Sequence, residues 1–490
     1  LVVGEFANNR VQILKRNLNR ERPHKAIILA GGGSPTAIHS NNLWTATQRL
    51  SNDAYFALRA QGFEKQHLRF LSSGFLQNDL DSNGHFDDLE VASLSALEQS
   101  ITDWAGDAED VLIYLIDHGG PGSFKVNETE ILGRAELKQW LDRLQTKISG
   151  KLTVVIEACQ SASFFEGLDA DNRYLIASAS KEQPATISNQ GMNSFSYHFW
   201  YGVRSGQPLQ QAFKTGRQGM SQQNVFVRKV KQRQQAQLDV DGNSLLEQAD
   251  YDILGEYCLG KCLNYAADEP SISLLNTSTE LNGATHYQLE FDVSSLAPIS
   301  QAWAIISRPD VNYTDLNEPI SDLPKVNFNC DSTGQTGQYR CSGEYTQFDV
   351  KGDYHLTFYA LDTDGRASVP NSAITLTQTV GKNSGITAAP SVSRFSTEYN
   401  PLTGVVTLHD VEVDGEHYQA ILTAQGEHFV ITSASLTTQR FSRPSVFNPQ
   451  QNQLIIPEVQ VGKEYYLATL KLSNELFELT GAINLGNVTE

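Results

Sequence analysis

Between residues 25 and 225 the chain alternates short apolar runs with longer stretches that are apolar on one side only. The runs are KAIILAGG (25–32), LRFLS (68–72), VLIYLID (111–117), LTVVIEA (152–158) and RYLIASAS (173–180). Unbroken apolar runs of this length fit strands buried on both faces. Between them lie amphipathic segments such as NLWTATQRLSNDAYFALRAQGF (42–63) and GRAELKQWLDRLQTKI (133–148). SFSYHFWYGVRSG (194–206) and PLQQAFKTGRQGM (208–220) read as two further helices. The alternation predicts an α/β domain, a mostly parallel sheet flanked by helices. Residues 226–265 are polar and predict irregular structure.

From about residue 268 the pattern changes to period two with turn residues, as in HYQLEFDV (286–293), AWAIISRP (302–309) and DYHLTFYALDTDG (353–365). This predicts an all-β, Ig-like sandwich up to residue 382, with GKNSGITAAPS (381–391) as a linker. The last segment carries a repeat. VEVDGEHYQAIL (411–422) matches VQVGKEYYLATL (459–470), so that Val411/Val459, Val413/Val461, Tyr418/Tyr466, Ala420/Ala468 and Phe429/Phe477 each stand 48 residues apart. Such self-similarity predicts a duplicated β domain whose halves bury their apolar faces together. The expected division is therefore 1–265, 266–382 and 383–490, and the length of 490 residues independently suggests about three domains.

Composition narrows the function classes. With 40% hydrophobic and 19% charged residues the chain is of ordinary globular type, and no run of 18 apolar residues suggests a membrane span. A formal net charge of −19 argues against a nucleic-acid partner, which requires Lys/Arg patches to displace counterions. The start at Leu1, without Met or a leader, reads as a mature or trimmed form. Among the five cysteines, Cys258/Cys262 and Cys330/Cys341 form two close pairs in loop-like sequence without a nearby His, which predicts two short-range disulfides. Cys159 is left over. The expected location is secreted, extracellular or at the cell surface, with the periplasm as a variant. In an oxidising compartment an unpaired cysteine needs burial or reactivity to account for it.

In an open α/β sheet, ligands bind beyond the carboxyl ends of the strands. Two of the runs end in reactive side chains there: YLIDHGG delivers His118 and VVIEACQSAS delivers Cys159. A cysteine attacks as thiolate, and a neighbouring imidazole can take its proton or protonate a leaving group. The glycines after His118 allow a substrate backbone to approach. Gly119 and the backbone N–H of Cys159 are candidates for an oxyanion hole. An isolated Cys or His at a strand end is more often structural, and the weight lies on the two occurring in the same relative place on consecutive strands.

DHGGPG followed some forty residues later by EACQSAS resembles the legumain family of caspase-like cysteine peptidases, over roughly residues 24–225. The resemblance implies a caspase/legumain-like sheet, peptide-bond hydrolysis, Cys159 as nucleophile and His118 as general acid/base. It further implies that Asn42, or equally Asn41, orients the histidine, that Asp117 and Glu157 are the acidic neighbours of the pair, and that Ser178 of LIASAS lines the pocket. Trp44 and Ser194 stand where that family has an arginine and an acid that read an asparagine side chain. Asparaginyl specificity is therefore not implied, and the two unbalanced acids leave a basic P1 residue open.

Two loops have the spacing of oxygen ligands around calcium. DLDSNGHFDDLE (79–90) places Asp79, Asp81, Asn83, His85, Asp87 and Glu90 at positions 1, 3, 5, 7, 9 and 12, with Gly84 at the turn and Phe86 at position 8. DVDGNSLLEQAD (239–250) offers Asp239, Asp241, Asn243, Glu247 and Asp250 at positions 1, 3, 5, 9 and 12, with Gly242 at position 4 as in dockerin loops. Both predict structural Ca2+ and no catalytic cofactor. Asn127, Asn276, Asn312 and Asn487 open N-x-S/T triplets, and His39 and His198 read as ordinary polar residues near the cleft. The sequence thus predicts a secreted, calcium-stabilised cysteine endopeptidase acting on protein or peptide substrates, with its C-terminal β domains available to surface or assembly partners. The competing readings are a structural or adhesive protein with an inactive or self-processing peptidase fold, and a transpeptidase.

Overall fold

The computed structural model describes residues 2–5, 10–13, 22–32, 43–73, 77–78, 80, 87–263, 269–382, 397–400, 404–413, 416–425, 428–437, 444–461, 464–473 and 476–486. Six parallel strands form the first sheet: β1 (Lys25–Ala30), β2 (Leu68–Ser72), β3 (Asp87–Val91), β4 (Val111–Ile116), β5 (Leu152–Glu157) and β6 (Arg173–Ala177). They lie in the order β6-β5-β4-β1-β2-β3. The apolar runs are explained by burial on two sides. Ile27, Ile113, Val154 and Ile156 pack against Leu97 and Ile101 of α2 (Leu94–Thr102) and Leu137 and Leu141 of α3 (Arg134–Gln145). Ile28, Tyr114, Val155 and Ile176 face the other way, onto Leu50 and Ala54 of α1 (Trp44–Ala60), Phe199 of α4 (Phe195–Arg204) and Phe213 of α5 (Leu209–Ser221).

Helix starts follow local chemistry. Ser93 and Ser194 accept hydrogen bonds from Ala96 N and Tyr197 N and so cap α2 and α4. Helices α4 and α5 approach closely because α5 carries glycines at the contact: a β-carbon on Gly219 would lie 2.2 Å from the His198 ring, and one on Gly216 2.7 Å from Phe195. His198 is accordingly a buried core residue, and its burial lowers its pKa to about 4.

The stretch 226–265 departs from the irregular structure expected of it. It contains β7 (Val225–Val227), paired with Val230–Gln232, then β8 (Gln237–Asp239) and α6 (Gln248–Leu254). Strand β8 extends the first sheet by pairing antiparallel with β6. A three-residue strand with polar neighbours leaves no periodicity to read, and only its distant partner makes it a strand.

Residues 271–378 form two further sheets. Strands β9 (Tyr287–Ser294) and β12 (Gln338–Tyr345) belong to one; β10 (Ile299–Ser307), β11 (Lys325–Asn327), β13 (Gly352–Asp362) and β14 (Asn371–Gln378) belong to the other. Both sheets contribute to a single core that includes Phe291, Cys341, Phe358 and Leu376. The disulfides Cys258–Cys262 and Cys330–Cys341 are formed, the second joining β12 to the edge strand Asn329–Ser332 beside it, and Cys159 is the free cysteine. In the last sheet, the hairpin Val405–Val413/Glu416–Gln425 and the hairpin Gln453–Val461/Glu464–Ser473 repeat one register. Val411 faces Tyr418 as Val459 faces Tyr466, and each pair follows a β-bulge in the same place. Among the described residues no helix is long and apolar enough to cross a membrane.

Phe291 is fully buried, its ring 4.9 Å from Phe328 and 5.2 Å from Phe358 in edge-on contacts. Phe291→Ala is expected to cost about 3–5 kcal/mol of stability, read as a lowered midpoint in urea denaturation of the full chain.

Candidate active site

The site is set by strand register. In the parallel pair β4–β5, Ile116 is opposite Glu157, and His118 and Cys159 each follow two residues further on. Adjacent strands stand about 4.8 Å apart, so His118 and Cys159 leave the same edge of the sheet on neighbouring strands. Beyond His118 the chain turns into a small hairpin, Gly119–Gly120 against Ser123–Lys125, with Gly122 at φ 62°. Gly119 lies directly on the cysteine turn: a β-carbon there would sit 2.7 Å from Cys159 O and 2.8 Å from Ala158 Cβ. Ser163 ties the two turns together, accepting from Gly122 N at 2.8 Å and donating to Gly120 O at 3.3 Å. Gln160 takes the left-handed conformation at φ 54° and donates its N–H to Gln183 O, bending the chain sharply after Cys159.

Cys159 is only 1% exposed, and Ala185 N donates to its Sγ at 3.4 Å. Burial pushes the thiol up, Ala185 opposes this, and the carboxylates of Glu318, Glu157 and Asp315 add to it. Asp117 is fully buried, with Oδ1 4.0 Å from His118 Nε2, and burial raises its carboxyl. Glu157 is likewise fully buried, and its Oε2 accepts Ser196 N, in the first turn of α4, at 2.7 Å. Burial raises Glu157 to about 7, opposed by the nearby Ser178 and the Ser196 N–H. Neither acid is turned outward to receive a basic side chain. Ser178 lies at the cysteine turn, accepting from Ala158 N at 3.3 Å.

Asn42, with Asn41 and His39, lies outside the described residues. Trp44 opens α1 and is largely buried, and Ser194 caps α4, so neither supplies a charge to a pocket. Three neighbours escaped the sequence reading. Gln160 was signalled only by adjacency to Cys159, whereas Ala185 and Glu318 gave no signal. Glu318 belongs to the segment between β10 and β11, yet its Oε2 stands 3.8 Å from His118 Nδ1.

Of the first calcium loop, Asp79, Asp81, Asn83 and His85 lie outside the described residues, as does the side chain of Asp87. Glu90 is engaged by Arg69, whose Nε and Nη2 donate to its two oxygens at 2.6 Å each. In the second loop Asp239, Asp241 and Asp250 bring one oxygen apiece within 4.8 Å of one another. Asn243 donates instead to Asp241 and Glu247, and Glu247 caps α6 together with Asp250. Burial raises the carboxyls of Asp239 and Asp250, to which Asp241 adds.

The pKa of Glu157, about 7, lies above the ordinary value of about 4.3. The stability contributed by its neutral form is thus complete below the ordinary value and is lost as pH rises through about 7. Glu157→Gln should gain on the wild type by a few degrees in Tm between pH 5 and pH 8; a gap that stays flat over this range would contradict the assignment.

No curated protein matches the chain. Among solved structures, the fibronectin(III)-like modules of Clostridium thermocellum CbhA match at 16% identity over 26% of this chain and 54% of theirs, with a TM-score of 0.15. An uncharacterized protein of Listeria monocytogenes matches at 8% identity over 45% of this chain and 18% of its own, with a TM-score of 0.16. The chain thus covers less than two thirds of either, and likenesses this weak carry no argument. The Peptidase C13 family model matches residues 94–198, a span that contains both His118 and Cys159 and suggests cysteine peptidase activity.

Proposed function

We propose that this chain is a secreted cysteine endopeptidase that cleaves peptide bonds through His118 and Cys159. One observation carries the reading: the two side chains follow paired residues of adjacent parallel strands by the same two positions. In the reaction, His118 takes the thiol proton and Cys159 Sγ bonds to the scissile carbonyl carbon. The displaced electron pair settles on the carbonyl oxygen, held by the amides of Gly119 and Cys159. Collapse of that intermediate expels the amine, which carries away the proton from His118. Water then hydrolyses the thioester and restores the thiol. Asparaginyl specificity is not part of the proposal, because Trp44 and Ser194 are spent on packing and capping.

The two disulfides favour an oxidising, extracellular location. We read residues 266–382 as an Ig-like sandwich and 383–490 as a duplicated β domain, the latter on the repeated register of its two hairpins. Calcium at Asp239, Asp241 and Asp250 would relieve the crowding of three carboxylates and act as a structural ion. The adhesive reading, with a silent peptidase fold, draws on the burial of Cys159.

Hydrolysis of a peptide library by the full chain should fall by a factor on the order of 10³ in Cys159→Ala and by about 10²–10⁴ in His118→Ala. Equal residual cleavage in wild type and both variants, persisting when residues 314–319 are replaced by a Gly-Ser linker, would end the enzymatic reading. Chelation should lower Tm by several degrees, and Asp250→Asn should abolish that response; a melt indifferent to calcium would remove the ion from the proposal.

A further inference from the structure

Strands β10 and β11 are antiparallel neighbours, with Ile305 opposite Lys325, yet residues 308–324 between them make a long excursion onto the β7 hairpin and the loop that follows β6, beyond the edge of the first sheet. Its backbone is fastened there twice. Tyr313 N donates to Phe226 O and Tyr313 O accepts from Arg228 N, both at 2.8 Å, which adds the segment alongside β7. Further on, Ile320 N donates to Ala185 O at 2.8 Å and Ile320 O accepts from Ile187 N at 2.9 Å. Ala185 is the residue whose own N–H points at Cys159 Sγ, so this second fastening lies against the thiol.

Between the fastenings the chain passes over the candidate catalytic pair. Gln160 Nε2 donates to Leu316 O at 3.2 Å and to Asn317 Oδ1 at 2.7 Å. Asn317 Oδ1 also lies against Gly120, 3.2 Å from where a β-carbon would be. Glu318 faces His118. The excursion is shaped for this place rather than draped over it. Asp315 accepts Asn317 N within its tip, Asn312 accepts Lys229 N, and Ile320 is buried with Val225 and Val227. The burial of Asn312 also makes its N-x-T triplet a poor glycosylation acceptor in this arrangement.

An endopeptidase must lay an extended substrate along main-chain groups at the sheet edge, as in strand addition generally. Here those groups beside Cys159 are already taken by the chain itself. We propose that residues 313–320 are a built-in plug that holds the cysteine latent, with Asn317 over the glycine turn and Glu318 against His118. The inference rests on the peptidase reading of the site. Both ends of the plug are anchored in strands of one sheet, so a cut within it removes nothing. Opening requires the segment to swing away or the β10–β13 layer to separate from the turn ahead of α4, where Tyr359 Oη donates to Asn193 Oδ1 at 3.0 Å and Lys325 Nζ to Asn189 Oδ1 at 2.7 Å. Tethering keeps the plug at a high effective concentration, which a dilute peptide cannot match.

The test uses iodoacetamide on the unreduced full chain, since the other four cysteines are paired. Alkylation followed by intact mass reports access to Cys159 without requiring catalysis. A plug closed in ~99% of molecules slows alkylation ~100-fold. Replacing residues 314–319 with a Gly-Ser linker should therefore speed alkylation by on the order of tenfold or more, with a parallel rise in peptide hydrolysis. The double variant Asn317→Ala, Glu318→Ala keeps the fastenings at Tyr313 and Ile320, and Glu318 is half exposed, so it should fold normally and give a smaller rise of several-fold. Wild-type alkylation as fast as that of a free thiol, or equal rates in wild type and both variants, would overturn the plug. Faster alkylation with no cleavage of any library peptide would leave the plug standing as a cover and overturn the peptidase reading instead.

Discussion

The pairing of β4 with β5 is the constraint on which the site depends. Each strand is apolar on both sides, with Ile113 and Val154 turned toward α2 and α3 and Tyr114 and Val155 toward α1 and α4. A slip of one residue would exchange these faces and force Tyr114, packed edge-on against Trp200 at 5.0 Å, into the opposite layer. The register is thus held by two cores at once. Alignment of His118 with Cys159 follows from it, because both side chains stand the same two residues beyond the last paired positions. The geometry of the proposed catalytic pair is thus a by-product of packing several residues away.

What was legible in the sequence was whatever is local. The five apolar runs became strands and the four long amphipathic stretches became helices, because burial on both faces or on one leaves its own period. The close cysteine pairs became disulfides for the same reason. The parts that could not be read depend on partners far along the chain. Residues 237–239 are a strand only because β6 lies beside them, and Glu90, a calcium position by spacing, is bidentate on Arg69. Asp117 and Glu157 were expected to be pocket acids from their places beside His118 and Cys159. The pleat instead turns Glu157 inward to the start of α4, where the N-terminal amides of a helix suit a carboxylate.

Nothing in residues 308–324 marks them as neighbours of His118, since a turn-rich polar stretch between two strands reads as an ordinary loop. Their position comes from how the β10–β13 layer sits. Trp303 and Tyr359 stack with ring centroids 5.3 Å apart and pack on Met192, just ahead of α4. That apolar contact fixes the layer against the first sheet, and the excursion then reaches the end of β5 from a fixed base. That contact patch, with the hydrogen bonds of Thr357 and Ser372 to Gln222, sets where the layer lies and so what covers Cys159.

Burial at the cysteine has two consequences that cannot be separated. On the plug reading, the surroundings that deny a substrate its path also withdraw water from the thiol, and the acids Glu318, Glu157 and Asp315 add their repulsion to the thiolate. A thiol held in its neutral form is a poor nucleophile. Removing the excursion from the cleft takes Glu318 and Asp315 with it and readmits solvent, which favours the thiolate on both counts. On that reading access and reactivity rise in one step, and the proposed closed state needs no separate device to keep the thiol quiet. His118 shares in this coupling. Its Nδ1 loses the facing carboxylate when the segment leaves, while the buried Asp117 remains on the Nε2 side. The imidazole then loses Glu318 on one side and keeps Asp117 on the other, which suits the proposed general acid/base role beside Cys159.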